Sequence, residues 1–320
     1  ASPTKESKEE LIADFDSLLS LTQIYYDLNC QDIPEFFEDN MMKGMQIMHK
    51  YLALGEQALN GVITDADEDS EADLVIKTKT LIVELVSLYI SRYADVFEPL
   101  IQEFITTVWK QITEQVTKQP KFDLLCVKSL SFLSTVVKMP TYQSMFNNET
   151  AVTEIIEKII LPNVIFRELD EEMFEDEPLA YVRLDVEGSD FDTRRKSATE
   201  FLRELKEVSP ELVTNIVMRY VNQFLEKSND EWRSKDTAIY LFSSLATKGS
   251  VTNKGVTSTN VLVDVVRFFS ENVASYLVGG ASSTIHPILR TDAIKYIYVF
   301  RNQLTKDQLL ETFPLLFAHL

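Results

Sequence analysis

Residues 122–137 read Phe-Asp-Leu-Leu-Cys-Val-Lys-Ser-Leu-Ser-Phe-Leu-Ser-Thr-Val-Val. Phe122, Leu125, Cys126, Ser129, Leu130, Leu133 and Val137 step by three and four, which puts them on one face of a helix. The same step joins Leu11, Phe15, Leu18, Leu19, Thr22, Tyr25 and Tyr26. Alternating strand patterns are scarce, and the periodicity predicts about a dozen helices of roughly 15–20 residues. Start signals support their boundaries. Asp32-Ile33-Pro34-Glu35 offers a cap, a first-turn proline and an acid; Ser209-Pro210-Glu211 repeats the idea; Thr305-Lys306-Asp307-Gln308 has capping-box spacing.

Pairing these helices uncovers an internal repeat. First helices are predicted to end near Asn29, Tyr93, Pro140, Ser209, Gly249 and Leu304. HEAT-type helix pairs recur at about 40–47 residues. The longer intervals here hold insertions: the acidic run Asp65-Ala66-Asp67-Glu68-Asp69-Ser70-Glu71, the run Gly279-Gly280-Ala281-Ser282-Ser283, and a larger one over 163–195. The expected fold is all-α, a HEAT-repeat α-solenoid of about six antiparallel helix pairs. The expected organisation is HEAT repeats over 1–162 with an acidic loop at 60–73, an acidic insertion over 163–195, and HEAT repeats over 196–320. The chain starts at Ala1 without Met and stops in the apolar stretch Leu315–Leu320, so it reads as a slice of a longer protein.

Composition narrows the chemistry. The 320 residues carry 31 Lys+Arg against 50 Asp+Glu, a net charge of −19, with 45% hydrophobic residues and only 8 Gly. A pI near 4.6 argues against a broad surface for nucleic acid or anionic membrane and suits basic partners. Scarce glycine argues against a turn-rich β-sandwich or a Gly-rich phosphate cradle. No apolar run is long enough to span a membrane, so no membrane insertion is expected. Cys30 and Cys126 read as reduced, mostly buried thiols. Asn148-Glu149-Thr150 matches a glycosylation sequon, read as accidental in a chain without a secretion signal.

No catalytic constellation emerges, and no metal or cofactor is expected. His49, His286 and His319 are scattered, and no HExxH, CxxC, GxxxxGK or GxSxG pattern occurs. Asp65-Asp67-Asp69 mimics the start of a calcium loop, but Ser70 stands where the turn glycine belongs and Ile76 where the bidentate Glu belongs. The aromatic groups Tyr25, Tyr26, Phe36, Phe37 and Tyr296, Tyr298, Phe300 read as core packing at helical spacing.

The informative segment is the insertion. Between Arg167 and Asp192 lie 11 acids and, besides Arg167, one further basic residue, Arg183; Arg194-Arg195-Lys196 then opens the next helix. Basic residues at a helix N-terminus oppose its dipole, and the preceding Asp190 and Asp192 are placed to compensate. Two readings stand side by side. In one the insertion is salt-bridged onto its own solenoid. In the other it is an exposed acidic element that engages a basic partner or changes place on binding.

Several stretches carry a family resemblance. They are Tyr26-Asp27-Leu28-Asn29-Cys30-Gln31-Asp32-Ile33-Pro34-Glu35-Phe36-Phe37-Glu38-Asp39-Asn40, Glu175-Asp176-Glu177-Pro178, Glu187-Gly188-Ser189-Asp190 and Asp192-Thr193-Arg194-Arg195. Lys128–Leu133, Ile239–Phe242 and Asp292–Tyr298 add to them. Together these resemble the CAS family of exportins, importin-β relatives that return importin-α to the cytoplasm, with fungal members most alike. The resemblance implies a HEAT solenoid that binds importin-α together with GTP-bound Ran, passes nuclear pore proteins, and shuttles between nucleus and cytoplasm. It places the family's N-terminal Ran-binding repeats upstream of this chain, so Ran is expected to be held mainly by other parts of the full protein. It also implies that 163–195 is the family's central-repeat insertion, associated with a hinge. The partner-binding or hinge candidates are Glu175, Asp176, Arg183, Asp185, Gly188, Asp190, Asp192, Arg194 and Arg195. The chain departs from the family pattern at Ala180, where an acid is usual, and at Leu184, where a second Arg precedes the Asp. The competing reading of the residues is a static HEAT scaffold subunit of a larger complex.

Overall fold

The computed structural model describes residues 5–55, 59, 72–185, 192–228, 230–249, 251–252, 254–278 and 284–318. The acidic run 65–71, the Gly/Ser run 279–283, Gly188 and Asp190 lie outside the described residues. The chain divides into two compact units, Ala1–Ser144 and Met145–Leu320.

In the first unit, α1 (Lys5–Asn29), α4 (Leu74–Arg92) and α6 (Asp123–Lys138) form one row, α4 lying between the other two. A second row holds α3 (Met41–Leu52) against α5 (Ala94–Glu114), after the short α2 (Glu35–Asp39). The apolar stripes read from the sequence face inward: Phe15 and Leu18 on α1, and Leu125, Cys126, Leu130, Leu133 and Val137 on α6, are all buried. Tyr89, Phe97 and Phe104 form an aromatic spine, with Tyr89 and Phe97 stacked at 5.7 Å. Polar anchors fix the helix ends. Asp73 caps α4 by accepting from the Ile76 N–H at 2.9 Å. The Tyr93 hydroxyl donates to the Asn29 carbonyl at 3.0 Å. Lys79 is buried and donates to Leu54 O at 2.6 Å and Gln115 Oε1 at 2.8 Å. Burial lowers its pKa to about 8, with Asp73 opposing.

Local details depart from the sequence reading. Pro34 is itself the N-cap of α2, with no side-chain cap, because the helix begins one residue later than the proline signal suggests. Cys30 is only partly buried, near the end of α1, whereas Cys126 is fully buried.

The second unit repeats the two-row scheme. α7 (Glu149–Ile155) runs through a π turn (Ile156–Ile160) into α8 (Leu161–Val164). After α9 (Glu168–Asp176) and α10 (Pro178–Asp185), one row is formed by α11 (Arg194–Val208), α13 (Trp232–Ala246) and α15 (Pro287–Phe300). The other elements are α12 (Pro210–Leu225), packed on α7 and α13, α14 (Val265–Phe268) with its continuing π and 3₁₀ turns to Leu277, and α16 (Lys306–Phe317). Thr305 and Gln308 form the expected capping box on α16. Pro210 occupies the first turn of α12, although Ser209 supplies no side-chain cap.

A feature with no clear sequence signal joins α13 to α14: a two-residue antiparallel hairpin, β1 (Thr247–Lys248) with β2 (Ser258–Thr259). It is stitched to its surroundings rather than to a sheet. Lys206 donates to Thr247 O at 2.7 Å, Val256 N–H to Val299 O at 2.9 Å, and Gln303 Nε2 to Val256 O at 2.8 Å. Gly255 makes this approach possible. Its φ is +83°, and a Cβ there would sit 2.8 Å from Val299 O. Gly255→Ala is therefore expected to lower stability by about 1–3 kcal/mol, read as a shift of the urea midpoint with unchanged m-value.

Candidate functional site: the docked acidic segment

The site begins where α8 ends. Phe166 turns inward, and Arg167 opens α9 in a reciprocal arrangement with Asp170. The Arg167 backbone N–H donates to Asp170 Oδ2 at 3.0 Å and its guanidinium bonds both carboxylate oxygens. Two short helices follow, and they lie on the solenoid row. Tyr181 is 5% exposed and buries its ring beside Phe166, Phe174 and Ile288. Phe174 meets Tyr181 edge-on at 5.2 Å, and Phe166 meets Trp232 edge-on at 5.3 Å. Trp232 in turn stacks flat on His286 at 3.9 Å.

Ion pairs reinforce the apolar seat. Glu171 on α9 pairs with Arg233 on α13 and lies 3.6 Å from His286 Nε2. His286 Nδ1 accepts from the Ile288 N–H and so caps α15; that cap needs a neutral ring, and burial lowers the histidine's pKa against the pull of Glu171. At the far end of α10, Asp185 Oδ2 accepts from Lys295 Nζ on α15 at 2.7 Å. Both side chains are mostly withdrawn from water, at 11% and 21% exposure.

Beneath this contact sits a buried charge cluster. Arg195, in the first turn of α11, reaches three ways. Nη2 donates to Asp236 Oδ2 at 2.6 Å, Nε donates to Val164 O at 2.8 Å, and the guanidinium plane lies 3.9 Å from the Tyr240 ring. Lys295 approaches the same ring, 4.9 Å from its centroid. Asp236 is fully buried, and burial lifts its pKa to about 6 despite Arg195. Burial also opposes ionisation of Asp185, but Lys295 and Arg195 outweigh it and hold its pKa below the usual range. Asp292, likewise buried, is pushed well above the usual carboxylate range by burial and then by Asp236.

The sequence candidates thus separate. Asp185 and Arg195 come together in the cluster. Arg194 is buried, 3.5 Å from Asn163 Oδ1. Asp192 pairs with Lys196 at 3.1 Å at the surface. Glu175, Asp176 and Arg183 are exposed. The expected electrostatic compensation at the start of α11 has a different source for Arg195: its carboxylate is Asp236 from another helix, since the side chain points into the core. Asp236, Tyr240, Asp292 and Lys295 escaped the sequence reading. Their signal was charge at helical spacing inside otherwise apolar faces, Asp292 and Lys295 three apart and Asp236 and Tyr240 four apart. Among the described residues no group of three or more His, Cys, Asp or Glu could hold a metal ion, and no helix is long and apolar enough to cross a membrane.

The arrangement sets two magnitudes apart. Arg195→Ala strands Asp236 in the core and should cost about 3–5 kcal/mol. Glu171→Ala removes a half-exposed pair and should cost about 1 kcal/mol or less. Denaturant titration of the two variants measures both.

A family model described as Cse1 matches residues 1–320. The chain is 51% identical over 316 residues to an importin alpha re-exporter of Saccharomyces cerevisiae, covering 98% of this chain and 32% of that protein. It is 38% identical over 310 residues to exportin-2 of Homo sapiens, covering 96% and 31%. A solved structure of the exportin Cse1 in its cargo-free, cytoplasmic state matches with a TM-score of 0.87 at 51% identity, covering 97% of this chain and 33% of its own. The chain therefore spans about a third of the length of the relatives it matches. The match extends through both units and fits the α-solenoid of HEAT repeats expected from the periodicity. On sequence and fold alike, the chain belongs to the Cse1 family.

Proposed function

We propose that this chain is the central segment of a nuclear export receptor, a non-enzymatic protein that binds importin-α together with GTP-bound Ran and carries it to the cytoplasm. The observation that supports this most directly is 51% identity across 98% of the chain to a protein named importin alpha re-exporter. In this reading Ran is held mainly by repeats outside the chain, and the receptor shuttles through nuclear pore proteins. The acidic surface, net −19, steers a basic cargo segment by a salt-sensitive field.

The insertion over 163–195 is, on this proposal, an element within a central repeat that serves a hinge between open and closed superhelices. Its docked part ties the end of α10 to α15 through Asp185 and Lys295, 110 residues apart. While the latch is closed, α11, α13 and α15 are held in one arrangement; opening it frees their stacking to change pitch. Each ligand that favours the open arrangement raises the affinity for the other. Glu175, Asp176, Arg183, Asp185, Gly188, Asp190, Asp192, Arg194 and Arg195 are proposed to serve as partner contacts or hinge residues. Of these, the contacts of Asp185 and Arg195 support a part in the latch, and the exposure of Glu175, Asp176 and Arg183 suits a partner contact.

The test uses the full-length protein and immobilised importin-α, with GTP-loaded Ran, GDP-loaded Ran or no Ran. The expected result is a gain of about 5–150-fold in importin-α affinity with the GTP form alone. Equal binding in all three arms would reject the export reading and leave a HEAT scaffold.

A further inference from the structure

Among the described residues, Asp292 is one of several buried groups near the docked segment with an unpartnered polar atom. Asp292 is 4% exposed, and its Oδ2 has no hydrogen-bond partner. It lines a cavity of about 90 Å³ together with Arg203, Tyr240 and Lys295. That volume is room enough for water, and the Arg203 Nε is also buried without a partner. Asp292 stands three residues before Lys295 on α15, so the two side chains share a face. Lys295, however, is taken by Asp185, and Arg195 by Asp236. Those four charges already balance, and the further cation, Arg203, is only half-buried, so its charge is shared with solvent. A third carboxylate ionised beside them would be a buried, uncompensated charge, which costs several kcal/mol.

We propose that Asp292 is the reserve carboxylate for Lys295: it keeps its proton while Asp185 is docked, and it releases that proton to solvent and takes over the Lys295 ammonium when α9 and α10 leave. The exchange conserves charge in the core. Undocking removes Asp185, and ionisation of Asp292 restores the lost negative charge one helical turn away. Lys295 is therefore never left buried and unpaired, and the latch opens without unfolding the row beneath it. This inference rests on the hinge reading of the 163–195 segment.

The groups facing Asp292 come from five elements. α11 contributes Arg195 and Arg203, and α13 contributes Asp236 and Tyr240. α10 contributes Tyr181 and Asp185, the turn after α14 contributes Tyr276, and α15 itself contributes Lys295 and Tyr296. The tyrosines are all pushed upward by burial and stay neutral. Asp236 titrates at about 6. The docked state binds one more proton than the undocked state, at Asp292. Through Asp292, docking is favoured at lower pH and weakens as pH rises through the Asp292 pKa of the docked state, whereas His286, held neutral beside α9, acts in the opposite sense at acid pH.

The experiment is amide hydrogen exchange on the full-length protein, followed over Tyr181–Asp185 from about pH 6 to about pH 9 and corrected for intrinsic exchange. Native protein should lose protection by up to roughly tenfold per pH unit above the Asp292 pKa. Asp292→Asn, which mimics the protonated acid, should stay protected with a flat profile. A second readout guards against trivial misfolding. Asp185→Asn alone should leave the thermal midpoint nearly unchanged, because Asp292 takes over Lys295. Asp185→Asn with Asp292→Asn should lose more than the two single losses together. A flat native profile or strictly additive losses would overturn the proposal. Neither readout involves Ran or importin-α. A pH-dependent latch whose opening leaves importin-α affinity unchanged would therefore refute the hinge reading alone and leave the proton exchange standing.

Discussion

The interaction on which the second unit depends is the contact of Arg195 with Asp236. The pair is buried between α11 and α13, and each partner is too costly to leave alone. Arg195 also bonds Val164 O, the end of α8, so one guanidinium fixes three elements at once. Arginine suits this task because its planar fork can donate in several directions while its face lies on an aromatic ring. Here that ring is Tyr240, which also faces Lys295. The cluster defines the floor on which the acidic segment rests.

That floor explains how a highly acidic stretch can lie against its own protein. Most of its acids among the described residues remain in water, where they cost little. Two of them, Glu171 and Asp185, are directed to Arg233 and Lys295, and the apolar work falls to Tyr181 and Phe174. Burial of those rings is insensitive to salt, whereas the ion pairs give the docking its register. A contact built in this way can be closed by default and still be opened by a partner that competes for the same charges.

In the first unit, the same two-row packing is achieved without such a cluster. Lys79, one of the buried cations there, is satisfied by a backbone carbonyl and an amide oxygen rather than by a carboxylate. Its pKa, about 8, is depressed by burial against the pull of Asp73. The contrast between the two units is physical. A cation bonded to neutral acceptors loses its charge readily, whereas one facing a carboxylate retains it.

The helices, their pairing and their buried faces were legible in the sequence because helical burial is periodic, and periodicity survives in one dimension. Phe15, Leu130 and Leu133 are buried at the positions their spacing required, and Thr305 with Gln308 forms its capping box because all its atoms lie within one turn. The acidic segment was visible as composition, and Arg194-Arg195 as the start of the next helix. What the residues alone could not supply was partnership. Asp185 meets Lys295, and Arg195 meets Asp236, only because α13 and α15 are stacked beside α11, at separations of 110 and 41 residues. Asp292, one acid among 50, gains its distinct chemistry only from burial of an Oδ2 without a partner. Local pattern determined which residues would be helical and which faces would be buried; three-dimensional stacking decided which charges would meet, because electrostatic partnership depends on distance through space and not along the chain.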